Sequence, residues 1–90
     1  MVWRIELERA AKSDLDKIDR RDGRRILKFL YERICNLDDP RSIGEALKGP
    51  RLGLYWKYRV GDYRVIANIE DGCLKILVVR IGNRRDLYQN

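Results

Sequence analysis

The chain has 90 residues, of which 44% are hydrophobic and 38% are charged. This length supports one folded core and leaves no room for a second, so we expect a single domain over residues 1–90. The net charge of +6 indicates either a solvated basic face or a polyanionic partner such as nucleic acid. Because the sequence contains no histidine, it excludes histidine-based acid–base chemistry and makes a metal site an unfavourable interpretation.

The N-terminal half predicts a strand followed by two helices. Residues 2–7 alternate between apolar and charged side chains, which is typical of a half-buried strand. Apolar residues then recur at helical spacing and predict a helix over about 9–18 and a second over about 22–37. The "DRRDG" stretch interrupts the two helices, which we expect to form an antiparallel hairpin.

The C-terminal half predicts an antiparallel meander that follows a loop. Residues 40–53 contain both prolines and three glycines and are interpreted as a loop with one helical turn at 42–47. Beyond this loop, "LYWKYRV", "YRVIANIE" and "CLKILVVRI" have the period of strands and are separated by Gly61-Asp62 and Asp71-Gly72, which suit two-residue hairpin turns. The fold class is therefore α+β, with the helix hairpin packed on one face of a mainly antiparallel sheet.

The first predicted hairpin turn fixes a register between two strands. With Gly61-Asp62 as the whole loop, Arg59 lies opposite Arg64. This like-charge pair costs stability unless an anion lies between the two side chains. The same register assigns one face to the core, with Leu54, Trp56, Tyr58, Val60, Tyr63, Val65, Ala67 and Ile69. The other face carries Tyr55, Lys57, Arg59, Arg64, Ile66 and Asn68.

The third meander strand is apolar on both sides. Continued alternation assigns Leu74, Ile76 and Val78 to the core, and Leu77, Val79 and Ile81 to the cationic face. A strand that is apolar on both faces is usually covered on both faces. Either neighbouring long side chains shield the second face, or it forms a groove for an apolar segment of a partner.

The cysteines and the N-terminus bear on the cellular compartment. Cys35 and Cys73 lie in different predicted elements, which favours two free thiols in a reducing cytosol over a disulfide or a metal pair. The N-terminus lacks the apolar region of a signal peptide, and no apolar run is long enough to span a membrane. We expect a cytoplasmic protein without membrane contact.

The order of these pieces resembles a known family. A strand, two helices, a loop with "LKGP", a meander with "WKYRVGDYRV" and a terminal "VVRIGNRRDLY" are similar to the RelE/ParE superfamily of bacterial toxins, and most similar to its RelE-like branch. The resemblance covers essentially the whole chain. It implies a toxin that an acidic, RelB-like antitoxin inhibits and that cleaves messenger RNA on the ribosome without a cofactor or metal. Operator DNA would be contacted only indirectly, through the antitoxin complex.

The resemblance also implies roles for individual residues. Lys57 matches a basic strand position implicated in activating the nucleophile, and Arg64 matches the arginine that contacts the scissile phosphate. Arg84 matches the arginine on the leaving-group side, and Tyr88 matches the tyrosine that stacks on the substrate. The implied RNA-contacting positions are Lys48, Arg51, Tyr55, Arg59, Asn83 and Arg85. The apolar strip of Leu77, Val79 and Ile81 is the expected antitoxin contact.

Two departures keep other functions open. Tyr55 stands where the RelE-like pattern has a second lysine, and Asn83 stands where many relatives have histidine. A ParE-like inhibitor of DNA gyrase that performs no chemistry is the main alternative, and a catalytically decayed nucleic-acid-binding module is a third. The arginines of the second helix are most simply a solvated face, with RNA backbone contact as the alternative.

Overall fold

The structure is a computed structural model that describes residues 3–47 and 55–83. Its first half contains strand β1 (Arg4–Leu7) and helices α1 (Arg9–Lys17) and α2 (Arg20–Lys28). Helix α2 continues through a π-helical segment (Phe29–Arg33) into a 3-10 turn (Ile34–Asn36). After a 3-10 turn at Pro40–Ser42, the strands are β2 (Glu45–Ala46), β3 (Tyr55–Val60), β4 (Tyr63–Glu70) and β5 (Lys75–Asn83). A further 3-10 turn (Asp71–Cys73) joins β4 to β5.

These strands form one sheet in the order β1-β5-β4-β3-β2. Strand β1 runs parallel to β5, and the other neighbours are antiparallel. The predicted α+β architecture is therefore confirmed, including the helix hairpin on a mainly antiparallel sheet. The predicted helical turn at 42–47 is wrong, because Glu45 and Ala46 pair with Lys57 and Trp56 as a fifth strand. A two-residue strand is too short to show a period in the sequence.

The break between the helices is shorter than the sequence indicated. The Asp19 side chain caps α2 by accepting a hydrogen bond from the backbone N–H of Arg21 at 3.1 Å. The "DRRDG" stretch is thus the start of α2 rather than a linker. Gly23 is buried in this first part of α2, where an added β-carbon would lie 3.9 Å from Cδ2 of Leu15. The two helices therefore approach closely at this glycine.

The core lies between the helices and one face of the sheet. Tyr58 is its largest fully buried side chain, and its ring meets Phe29 edge-on at 6.2 Å between centroids. The Tyr58 hydroxyl donates to the backbone oxygen of Pro40 at 2.6 Å, and burial raises the pKa of Tyr58 to about 12. The remaining fully buried apolar residues include Ala11, Ile26, Leu30, Ile34, Val65, Ala67, Ile76 and Val78.

The second hairpin departs from the predicted two-residue turn. Asp71–Cys73 form a 3-10 turn, and Leu74 closes the connection in the left-handed region with φ 49°. Leu74 is 37% exposed, so its predicted place in the core is wrong. Asp71-Gly72 marked a turn correctly, but the dipeptide does not fix the length of the turn.

A β-bulge in β5 changes which side chains face the core. Ile66 pairs with Arg80, whereas the next residue, Ala67, pairs with Val78, so Val79 is an inserted residue. Ile81 consequently lies opposite Val65 and is only 2% exposed. The prediction that Ile81 belongs to the cationic face is wrong, because strict alternation cannot anticipate an inserted residue.

Both cysteines are free thiols, as predicted. Cys35 is half-buried and donates to the backbone oxygen of Trp3 at 2.6 Å, which ties the end of the second helix to the N-terminal strand. Cys73 is exposed in the turn between β4 and β5. In the described part of the chain, no helix is long and apolar enough to cross a membrane.

Candidate nucleic-acid interface

The β3–β4 hairpin places three cations on the sheet face away from the helices. The predicted register is confirmed, with Lys57 opposite Ile66 and Arg59 opposite Arg64. Gly61 has φ +60°, the conformation that the two-residue turn requires. Lys57 and Arg59 are two residues apart on β3, so their α-carbons are separated by about 7 Å. The three cationic positions are therefore neighbours on the sheet.

Arg64 is the centre of this arrangement. It is only 4% exposed, and its Nη1 donates to the backbone oxygen of Tyr63 at 3.1 Å and more weakly to that of Gly61 at 3.5 Å. No acidic side chain among residues 3–47 and 55–83 pairs with it.

The two arginines of the predicted like-charge pair lie in different environments. Arg59 is exposed to solvent, whereas the Arg64 guanidinium turns back towards the carbonyl groups of the hairpin turn. The repulsion between the two charges stays a prediction. Arg64 is thus a buried guanidinium held by neutral backbone carbonyls, and a guanidinium fork is a suitable donor for a phosphate oxygen.

Lys57 has an acidic neighbour that the sequence did not indicate. Its Nζ lies 3.3 Å from Oε2 of Glu45, the residue that pairs with it across β2 and β3. The Lys57 side chain is 18% exposed and that of Glu45 is 65% exposed. The pair went unpredicted because β2 itself was missed. A carboxylate consequently stands within reach of the proposed reactive lysine.

The other predicted site residues fall into two groups. Tyr55, at the start of β3, lies opposite Asn68, and Asn83, at the end of β5, lies opposite Tyr63 near the hairpin turn. Lys48, Arg51, Arg84, Arg85 and Tyr88, like the predicted core residue Leu54, lie outside the described residues. The described ranges contain no group of three His, Cys, Asp or Glu side chains placed to hold a metal ion.

The predicted antitoxin strip is reduced by the bulge. Leu77 and Val79 are half-buried, with Leu77 opposite Asn68 on one side and Glu6 on the other. Ile81 no longer belongs to this strip, because it is in the core. Leu77 and Val79 are thus the partly exposed apolar positions of β5 on this face.

Two unpredicted arginine contacts hold the elements around the site. The Arg41 guanidinium donates to both carboxylate oxygens of Asp71 at 3.0 and 2.6 Å and lies 5.9 Å from the centre of the Trp56 ring. These hydrogen bonds lower the pKa of Asp71. The contact fastens the segment before β2 to the turn after β4. Both partners are distant in sequence, which is why no local pattern revealed them.

The second contact joins α1 to β5. The Asp14 carboxylate accepts hydrogen bonds from Arg80 at 2.9 and 3.2 Å and from the Ile81 backbone N–H at 2.9 Å. Burial alone would raise the pKa of Asp14, but these hydrogen bonds and the Arg80 charge lower it overall. This contact anchors the strand end that leads to Asn83.

The fold and this cationic face can be compared with known proteins. A family profile described as "ParE toxin of type II toxin-antitoxin system, parDE" matches residues 5–88. The chain belongs to this toxin family. Two toxins of Mycobacterium tuberculosis are similar in sequence: Toxin RelE, 25% identical over 97% of this chain and 87% of that toxin, and Toxin RelG, 24% identical over 99% of both. The predicted membership of the RelE/ParE superfamily is confirmed.

Solved structures of toxins share the fold. The M. tuberculosis RelBE2 toxin–antitoxin complex contains a chain that matches with a TM-score of 0.85 and 21% identity over 93% of both chains. The RelE–RelB complex of Pyrococcus horikoshii matches with a TM-score of 0.73 and 24% identity over 93% of this chain and 97% of the other. The isolated Escherichia coli RelE toxin matches with a TM-score of 0.70 and 16% identity over 90% and 83%.

Proposed function

We propose that this ParE-family toxin is a ribosome-dependent endoribonuclease that cleaves messenger RNA and so inhibits translation. The buried Arg64 guanidinium on the face that also carries Lys57 and Arg59 is the observation that carries the proposal. The planar fork of a guanidinium suits the non-bridging oxygens of a scissile phosphate. The resemblance to the RelE-like branch supplies the reaction class, and the sequence similarity to toxins named RelE and RelG supports that branch.

The proposed reaction uses the RNA's own nucleophile. The 2′-hydroxyl oxygen attacks the adjacent phosphorus, the 2′ proton passes to a base, and the bond to the 5′-oxygen breaks with protonation of that oxygen. The products are a 2′,3′-cyclic phosphate and a 5′-hydroxyl. Arg64 stabilises the charge on the phosphorane, and Arg84 stabilises the leaving oxygen, with Tyr88 orienting the substrate. Such a reaction needs no metal, so a chelator should leave cleavage unchanged once ribosome integrity is controlled.

The Lys57–Glu45 pair determines where the proton can go. An ammonium group that donates to a carboxylate has no lone pair, so Lys57 can serve as a base only after it loses a proton and leaves Glu45. Glu45 is itself a carboxylate that could accept the proton, with Lys57 as its positive neighbour. Glu45→Gln separates the two mechanisms. Retained cleavage assigns the base to Lys57, whereas a loss of about a hundredfold assigns it to Glu45.

The proposed inhibitor is an acidic, RelB-like antitoxin. RelB-type partners are present in the toxin–antitoxin complexes of M. tuberculosis and P. horikoshii whose toxin chains share this fold. Leu77 and Val79 form a short apolar strip beside the cationic face, which suits an amphipathic segment with acidic flanks. Co-expression with a candidate acidic antitoxin should yield a co-purifying complex, and Leu77→Glu should weaken it.

The experiment that tests the function compares cleavage with gyrase inhibition. Purified toxin is added to translating ribosomes, transcript 5′ ends are mapped, and DNA supercoiling by gyrase is assayed in parallel. We expect cuts within translated regions that are lost in Arg64→Ala and kept in Arg4→Gln, which removes a cation at the far edge of the sheet. The alternative function, a ParE-like inhibitor of DNA gyrase, is favoured by the ParE description of the matching family. Intact messages with inhibited supercoiling would establish the gyrase inhibitor and refute the nuclease.

A further inference from the structure

Helix α2 carries a set of cations that no acidic group of the described chain neutralises. Within residues 3–47 and 55–83, ion pairs engage Arg4, Arg41, Lys57, Lys75 and Arg80. None of them engages the five cations of α2, which are Arg20, Arg21, Arg24, Arg25 and Lys28. Most cations of the described strands are thus paired internally, whereas the cations of α2 are exposed and, like those of α1, form no ion pair with a described residue.

The spacing of these cations is unfavourable for an isolated helix. Arg20 and Arg24, Arg21 and Arg25, and Arg24 and Lys28 are each four residues apart, and like charges at this spacing destabilise a helix. The acidic residue within the stretch, Asp22, lies near Tyr63, and burial together with this carboxylate raises the pKa of Tyr63. The repulsion would be relieved by a polyanion bound along the helix.

Two of the α2 cations, Arg25 and Lys28, line a concave surface between α2 and the hairpin turn. Arg25, Lys28, Arg33 and Arg59 line it together with the apolar Phe29 and Val60, and we name it the α2 groove. A β-carbon at Gly61 would lie 3.0 Å from Nη1 of Arg25, so this guanidinium packs directly against the turn. The π-helical segment Phe29–Arg33 forms part of the wall, and π-helical turns recur at functional sites.

The α2 groove is continuous with the face that carries Arg64, because Arg59 lines the groove and is the cross-strand partner of Arg64. We propose that the α2 groove binds the sugar-phosphate backbone of structured RNA, as the ribosome presents it, and so orients the toxin over its messenger. This inference rests on the proposed function and names its second RNA contact. A cation-lined groove with one acidic residue, Glu32, matches a phosphate backbone in charge.

The test uses two variants of the full-length chain with equal loss of charge. The groove variant replaces Arg25, Lys28 and Arg33 with glutamine, and the control replaces Arg9, Lys12 and Lys17 of α1, which are exposed and form no ion pair with a described residue. Binding to purified 70S ribosomes and to a short RNA duplex is measured over a range of salt concentrations, without any cleavage readout. The single Arg33→Gln variant serves if the triple variant melts much earlier than the wild type.

We expect the groove variant to lose at least about tenfold in affinity for both probes. The slope of log affinity against log salt concentration should become shallower by roughly 2–3 for the groove variant and by about one for Arg33→Gln. The control should keep the wild-type slope. Equal behaviour of the groove and control variants would overturn the inference. So would a groove variant that keeps its RNA affinity but loses affinity for the antitoxin, because the surface would then bind protein. Groove-dependent binding without messenger cleavage would refute the nuclease alone.

Discussion

Replacing Arg64 with alanine separates its structural contribution from its chemical one. The substitution removes the 3.1 Å hydrogen bond to the Tyr63 oxygen and the weaker one to the Gly61 oxygen, and it empties a site that is 4% exposed. A hydrogen bond from a charged group contributes about 1.5–3 kcal/mol. Because the second bond is long, we expect a loss in unfolding free energy of about 2 kcal/mol, or roughly 8–16 °C in Tm for a domain of this size.

The catalytic effect should exceed the effect on stability. A preorganised donor to a transition-state oxyanion is worth about 3 kcal/mol or more, so cleavage by Arg64→Ala should fall by at least about a hundredfold. The assay combines thermal unfolding by circular dichroism with ribosome-dependent cleavage at a temperature where each variant is folded. Arg64→Lys keeps the charge but loses the planar fork, and we expect only partial recovery of cleavage.

Arg59→Ala is the matched control, because Arg59 is the cross-strand partner of Arg64 but is exposed. Its stability should change by less than about 0.5 kcal/mol. An Arg64→Ala protein that melts with the wild type would refute the structural account of the buried guanidinium. An Arg64→Ala protein that is folded and cleaves at the wild-type rate would refute the role of Arg64 at the phosphate.

Three further substitutions test other contacts. Asp14→Asn should lower the unfolding free energy by about 1–3 kcal/mol, because it weakens the contact with Arg80. Since folding lowers the pKa of Asp14, the advantage of the wild type over this variant should be present above about pH 4 and disappear as the pH falls further. Gly44→Ala should cost about 1–3 kcal/mol, since the new β-carbon would lie 2.9 Å from Cε1 of Tyr58. Gly61→Ala should cost about 1 kcal/mol, because φ there is +60°.

The Asp14→Asn prediction is checked by thermal unfolding of the wild type and the variant across about pH 2.5–8. This range spans the ordinary carboxyl pKa of about 4. A wild-type advantage over Asp14→Asn that persists unchanged to the lowest pH would contradict the assigned contact. For the glycines, Gly72→Ala is the control, since nothing lies within 4 Å of a β-carbon there. If Gly44→Ala and Gly72→Ala had equal stability, the close approach to Tyr58 would be disproved.

Local patterns in the sequence determined the parts of this protein that depend on near neighbours. Alternation and helical spacing are set by which face of an element is buried, so they predicted the α+β layout and most of the core. Gly61 adopts the positive φ that its two-residue turn needs, and the turn then fixed the register that places Arg59 opposite Arg64. The cationic face of the hairpin followed from that register alone.

Tertiary structure decided what depends on residues that are distant in the chain. The inserted Val79 moves Ile81 into the core, and only pairing with β4 reveals that insertion. Glu45 reaches Lys57 because a two-residue strand adds to the sheet edge, and Asp14 holds Arg80 from another element altogether. The sequence predicted the charge of Arg64, but its burial and its bonds to the turn carbonyls follow from side-chain packing, which has no period.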